Sequence, residues 1–311
     1  MPPGARQEIF QTAQTGSNPV GGATKEHMNR QHTTNFKATA LEEATLRTQA
    51  PSIYASGPML GVSDRYTFVP TARIVSGLRD LNWVPVGVEE QRIRTEARRG
   101  FQKHLIRFRR AEQMETLDEW NVELVLLNSH DAGCAYQIHA GIYRRICSNG
   151  LVISESGFEA IRFRHAGLKA DEVVQSSLRL LEFMPRIGEL VQRFRERTLD
   201  EAESLALASH ALRLRYASLE EAPVEPATLL QSRRPEDEGS DLWKVTNRVQ
   251  ENITRGGVSD WRRDRRGKLR SVRGLRGIDS KVSVNKKLWD VAERVLDGQM
   301  LPPLESVTLS A

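Results

Sequence analysis

Between Val122 and Ser154 the chain alternates apolar runs with tight turns, and this stretch constrains the fold more than any other. Val122 to Leu127 is a strongly apolar run of strand length. Asn128 to Gly133 (NSHDAG) has the composition of a turn. Ala135 to Ile146 then alternates, which puts Tyr136, Ile138, Ala140 and Ile142 on one face of a second strand. Ser148-Asn149-Gly150 predicts another tight turn, before a short strand from Leu151 to Ser154.

Upstream, Pro70 to Leu81 reads as a helix opened by proline. Its apolar stripe is Ile74, Val75, Leu78 and Leu81, and Asn82-Trp83 ends it. Val84 to Arg94 alternates and predicts a strand. Arg99-Gly100 is the expected turn, and Phe101 to Arg110 the return strand of a β-hairpin. An antiparallel sheet with at least one helix packed on it is an α+β arrangement, and that is the predicted fold class.

From Asp171 to Ala217 the period becomes helical, with Val173, Val174, Leu178, Leu181 and Met184 on one stripe. Pro185 is expected to kink or interrupt this helix. Thr198 and Glu201 stand at capping-box spacing for the next one. The domain plan is a flexible arm over 1–50, an α+β core with helical extension over 51–217, and a proline-rich acidic linker over 218–240. A basic helical segment completes it over 241–311. Within that segment Asp241 to Ile253 and Val284 to Leu296 read as helices, with a basic loop from Arg255 to Gly277 between them.

The net charge is +5 and the pI about 9.3, but the excess is local, and local excess decides binding. Arg92, Arg94, Arg98, Arg99, Lys103, Arg107, Arg109 and Arg110 crowd into the predicted hairpin. Arg92 and Arg94 share one strand face, as do Lys103, Arg107 and Arg109 on the other strand. Cations on a rigid ribbon suit phosphates along a nucleic-acid strand and give salt-sensitive, sequence-tolerant affinity. The bland alternative is a solvated face paired with Glu89, Glu90 and Glu96. The second cluster is Arg262, Arg263, Arg265, Arg266, Lys268 and Arg270 in the C-terminal loop. Trp261 stands at its edge as a base-stacking candidate, and Gly267 and Gly274 are expected to keep it mobile.

Catalytic chemistry finds little support. His130-Asp131, Cys134, His139 and Cys147 lie near one another, but without the close CxxC spacing of a zinc site. No phosphate loop of the Walker type is present. Neither a metal nor another cofactor is expected, and the chain is read as a non-enzyme. Two cysteines are too few for a disulfide framework, so a reducing cytoplasm is the default, and no apolar run is long enough to span a membrane.

Two stretches carry a resemblance. LVLLNSHDAGCAYQIHAGIYRRICSNGLVIS (Leu124 to Ser154) and LWKVTNRVQENITRGG (Leu242 to Gly257) resemble a phage- and plasmid-borne family catalogued as domain of unknown function nine-three-two. The likeness spans about residues 60 to 296. It implies a mobile-element setting and carries no catalytic residue. More distantly, LRDLNWV (Leu78 to Val84), with a helix before it and a hairpin after, is similar to the core of the Rad fifty-two and Redβ-type single-strand annealing proteins. That likeness implies a ring or helical filament with DNA in an outer groove, which the hairpin cations and Arg144-Arg145 would line. Trp83 is read as a packing residue.

The resulting expectation is a non-enzymatic protein that binds and anneals single-stranded DNA in phage or plasmid recombination and forms a homo-oligomer. The alternatives are a mobile-element defence or anti-restriction protein that binds a host protein, and a cryptic metal-dependent hydrolase.

Overall fold

Alternation decides the layering. The computed structural model describes residues 39–116, 118–144, 150–153 and 160–299. Within them four long strands form the sheet: β1 (Trp83–Glu90), β2 (His104–Arg110), β3 (Trp120–Asn128) and β4 (Tyr136–Arg144). Two short strands, β5 (Gly150–Val152) and β6 (Ile161–Phe163), share the outer edge of β4. Every pairing is antiparallel and the order is β1-β2-β3-β4-β5. Ile106, Phe108, Leu124, Leu126, Tyr136, Ile138, Ala140 and Ile142 fill the main core. Leu105, Val125, Leu127 and Tyr143 form a second, smaller apolar cluster, as period-two alternation requires.

Helices α1 (Glu43–Gln49), α2 (Thr71–Asp80) and α3 (Ala170–Glu196) pack on the main core face. Gly77 lets α2 approach α3, because a Cβ there would stand 2.8 Å from a Val174 methyl. Asn82 closes α2 with φ 62, a left-handed conformation that Asn tolerates. Helices α4 (Glu201–Arg213), α5 (Leu242–Arg255) and α6 (Ile278–Leu296) complete the helical C-terminal part. Its core is continuous with that of the sheet, and Phe194 of α3 stacks on Trp289 of α6 at 4.8 Å. The α+β reading therefore holds. No helix among the described residues is long and apolar enough to cross a membrane.

Several local expectations need correction. Strand β1 stops at Glu90, so Arg92 and Arg94 lie in a long connection and not on a strand face. That connection is mostly polar and has no apolar alternation to bury. Pro185 sits inside an unbroken α3, where Leu180, Ile187, Leu190 and Val191 anchor both halves in the core. The capping box uses Asp200 and Glu203 instead of Thr198 and Glu201. Thr198 is instead held in an extended bridge to Asp241. Residues 218–240 are no loose linker: Ala222, Val224 and Leu229 are fully buried, and Asn252 donates to the Leu229 and Gln231 carbonyls. Part of the expected arm is also folded, since Leu46 and Ala50 are buried. The last helix begins at Ile278 rather than Val284.

A buried polar knot joins α2 to the sheet. The Thr71 hydroxyl lies 2.9 Å from His104 Nε2, 3.1 Å from His130 Nε2 and 3.0 Å from the Tyr136 hydroxyl. It also accepts from Asn128 Nδ2 at 3.0 Å. Tyr136 donates onward to the Val69 carbonyl at 2.7 Å, and Ser52 Oγ meets His104 Nδ1 at 2.8 Å. Burial, then the neighbouring His130, pushes His104 down to about 3. Burial, then His165, pushes His130 down to about 4. On the other face burial takes His139 to about 3. The unfolded chain binds protons on these rings near pH 6.5, whereas the folded chain refuses them until pH 3–4. Their contribution to stability is therefore complete above pH 6.5 and is lost as pH falls through that window. Unfolding free energies from urea denaturation between pH 7.5 and 4.5 should fall steadily below pH 6.5, by up to about 1.4 kcal/mol per pH unit per ring, and the midpoint with them. A midpoint unchanged down to pH 4.5 would contradict the neutral-histidine core.

Candidate nucleic-acid interface

Glu123 of β3 has no solvent exposure, yet it lies outside the main apolar core. Its carboxylate accepts from Arg107 Nε at 2.7 Å and from Arg109 Nη2 at 2.7 Å and Nε at 3.1 Å. Buried carboxylates need such partners. The Arg107 guanidinium also lies 3.6 Å above the Tyr143 ring. Room for it comes from Gly87 beside the β1 bulge, where a Cβ would stand 3.2 Å from the Arg107 side chain. Burial holds the Tyr143 hydroxyl protonated well above the ordinary tyrosine range, against the opposing pull of the Arg107 charge.

The start of α6 partly roofs this face. Ile278 and Val282 pack on Leu105, Val125, Leu127 and Val152. Lys103 Nζ reaches both oxygens of Asp279 at 2.6 Å, and Lys281 pairs with Glu89. Beside this roof a cleft of about 1230 Å3 remains, above the usual range for a small-molecule pocket. Arg107, Arg215, Arg255, Arg273, Arg276 and Lys281 line it, and Glu89 is the lining acid. A second cleft of about 690 Å3 shares Arg276 and adds Arg92, Arg94, Arg98 and Lys103.

The cations divide by partner. Arg107 has Glu123, Arg255 has Glu251, Lys281 has Glu89, Lys103 has Asp279 and Arg98 has Asp131. Among the described residues Arg92, Arg94, Arg215, Arg273 and Arg276 have no carboxylate partner. Arg215 is half-buried, and burial pushes its guanidinium down from the ordinary arginine value. Its Nη1 donates to the Ile253 carbonyl, so the positive charge is left to the cleft.

The expected site residues scatter over four settings. Arg92, Arg94, Arg98, Lys103 and Arg107 line the two clefts. Arg109 is buried on Glu123, and Arg144 is buried on Asp237 at 2.5 Å with Glu119 at 3.1 Å, so both serve as pins within the fold. Arg99 pairs with Glu96 in solvent. Arg262 and Arg270 turn inward to backbone carbonyls of 219–224, while Arg263, Arg265, Arg266 and Lys268 are exposed. Arg145 lies outside the described residues, as does Cys147. The missed residues are Arg215, Arg255, Arg273, Arg276 and Lys281. Arg255, Arg273 and Arg276 lay within the basic loop read from the sequence, beside the glycines that bring its two ends together. Arg215 and Lys281 carried no local signal.

The His and Cys candidates are not gathered either. His130 faces Thr71, whereas His139 bonds Gln137 on the other face. Cys134 is buried, which raises its thiol. Among the described residues no group of three or more His, Cys, Asp or Glu is placed to hold a metal.

The family described as "Domain of unknown function (DUF932)" matches residues 59–289. Two proteins of Escherichia coli (strain K12) are each 34% identical over 246 residues, covering 79% of this chain and 88% of theirs. They are UPF0380 protein YafZ and UPF0380 protein YfjQ. No solved structure matches.

Replacing Glu123 by Ala leaves Arg107 and Arg109 without their shared carboxylate. The expected loss is about 3–5 kcal/mol, as for other broken buried pairs, read from urea denaturation. A loss below about 1 kcal/mol would show that these arginines find other partners.

Proposed function

This chain belongs to the DUF932 family, and we propose that it binds single-stranded DNA by its phosphates, without chemistry on the strand. The observation that carries this is the set of five arginines without carboxylate partners, Arg92, Arg94, Arg215, Arg273 and Arg276, along two adjoining clefts. Arg92, Arg94, Arg273 and Arg276 are exposed and Arg215 is half-buried, so what marks the set is its gathering along two adjoining clefts. A recess with surplus guanidinium groups is suited to a polyanion, and Arg holds phosphate through a planar fork. Backbone contacts of this kind position a strand without reading its sequence.

The fuller form of the proposal is strand annealing by a homo-oligomeric ring or helical filament in phage or plasmid recombination. The order α2, Asn82-Trp83, β1, β2 supports kinship with the annealing superfamily. Trp83 is fully buried, which suits the packing role expected of it.

Anisotropy of a labelled oligothymidylate, measured in chelator across a salt series, tests the reading. Each neutralised phosphate contributes a slope of about −0.7 in log affinity against log salt. Engagement of three to five phosphates therefore predicts a total of about −2 to −3.5. Changing the exposed Arg92, Arg94, Arg273 and Arg276 together to Ala should remove most of that slope while leaving the melting temperature near that of the wild type. Undetectable binding at low salt, or affinity flat with salt, contradicts the reading. Mass photometry with the same strand should show assemblies larger than the monomer.

A further inference from the structure

The basic segment after α5 is a built element. Gly257 N donates to the Val272 carbonyl at 2.8 Å, and Val272 N to the Val258 carbonyl at 3.0 Å. Further out, Arg270 N donates to Arg262 O and Asp264 N to Lys268 O, both at 2.8 Å, around the bridged pair Arg263 and Leu269. Asp264 Oδ1 closes the turn by accepting from Arg266 N at 2.8 Å and Lys268 N at 3.0 Å, with Gly267 at φ 74. At the root a Cβ on Gly256 would stand 2.5 Å from backbone atoms of Val272 and Gly274, so the two arms touch backbone to backbone. Residues 256–274 thus form a two-stranded ribbon. Its root carries Arg255 and Arg273 into the larger cleft.

The two faces of this ribbon have opposite roles. Arg262 Nη1 is bound to the carbonyls of Leu219, Ala222 and Val224 at 2.9, 3.1 and 3.2 Å, and Arg270 donates to the Glu221 carbonyl. Arg263 and Leu269, the bridged neighbours of Arg262 and Arg270, point to the opposite face, and the Trp261 ring, 5.9 Å from the Arg262 guanidinium, is left open to solvent. Trp261 is 70% exposed and Leu269 46%. By contrast Trp83, Trp243 and Trp289 are buried. Arg263, Arg265, Arg266 and Lys268 surround the tip, and all are exposed. A ribbon that served only solubility would have no use for an exposed indole. Two apolar side chains are also a small area for a membrane surface, where a whole helix face is normally committed. A single indole is enough for one base.

We propose that the outward face of this ribbon is a second nucleic-acid site, with a base of a single strand stacked on Trp261 and flanking phosphates held by Arg263, Arg265, Arg266 and Lys268. The proposal rests on the reading of the cleft as a strand-binding site, because a strand that leaves the cleft at Arg273 is already at the ribbon root. The backbone bonds hold the ribbon in place before the strand arrives, so little ordering is required on binding.

The full chain is titrated with a short oligothymidylate and a long one, with tryptophan emission and anisotropy read together. The long strand should quench the exposed indole. Trp261→Ala should weaken the long strand by roughly five- to a hundredfold, with Trp261→Phe keeping part of the affinity and the short strand little changed. Because Trp261 is exposed, both variants should melt like the wild type. If Arg215→Ala weakens binding but Trp261→Ala does not and emission stays constant, the ribbon site is overturned and the cleft reading stands. If the wild type fails to bind either strand at low salt, both fall. An emission shift with anionic phosphatidylglycerol vesicles and none with DNA also overturns the ribbon site, in favour of a lipid surface.

Discussion

The second face of the sheet is organised around one carboxylate. Glu123 is fully buried and shared by two arginines of the neighbouring strand. Taking three charges out of water is costly unless they neutralise one another in good geometry, and the short contacts supply that geometry. The pairing sets a charged patch beside the small apolar cluster on this face. It also fixes Arg107 against Tyr143 and thereby makes one wall of the cleft. The α6 roof follows the same logic, with Ile278 and Val282 on the apolar part and Lys103–Asp279 and Lys281–Glu89 at the edges. The roof is incomplete, and the gap it leaves is the larger cleft.

Structural and available arginines differ only in their partners. Arg109 and Arg144 carry the same guanidinium as Arg273 and Arg276, but each is enclosed with carboxylates. Arg144 ties β4 to the turn at Asp237, which adds to the buried Ala222, Val224 and Leu229 in holding residues 218–240. The ribbon after α5 owes its position to glycine at the root, since Gly256 and Gly274 permit a backbone contact that any side chain would block.

Much of the fold was legible from local pattern. The strands around Leu124 and Tyr136 and the helix after Pro70 lie close to where periodicity put them, because burial on one face imposes a period that neighbouring residues display. The hairpin charges misled in part. Arg92 and Arg94 lie past Glu90 in a polar connection with no apolar face to bury, and no partner strand extends that far. The capping box shifted by two residues because an extended bridge from Thr198 to Asp241 took the earlier position.

The sequence by itself determined the α+β class, the long core strands, the helices and the existence of two basic regions. Each of these depends on residues close together in the chain. Only the tertiary structure decided which cations are neutralised and which remain. Lys103 meets an acid 176 residues away, and Arg144 one 93 residues away. Arg215 reaches the cleft from beyond the end of α4 and Lys281 from the first turn of α6, with no local pattern to announce either. Charge is written residue by residue, but its neutralisation depends on distance through space. That distance is settled only when the sheet, the helices and the ribbon close on one another.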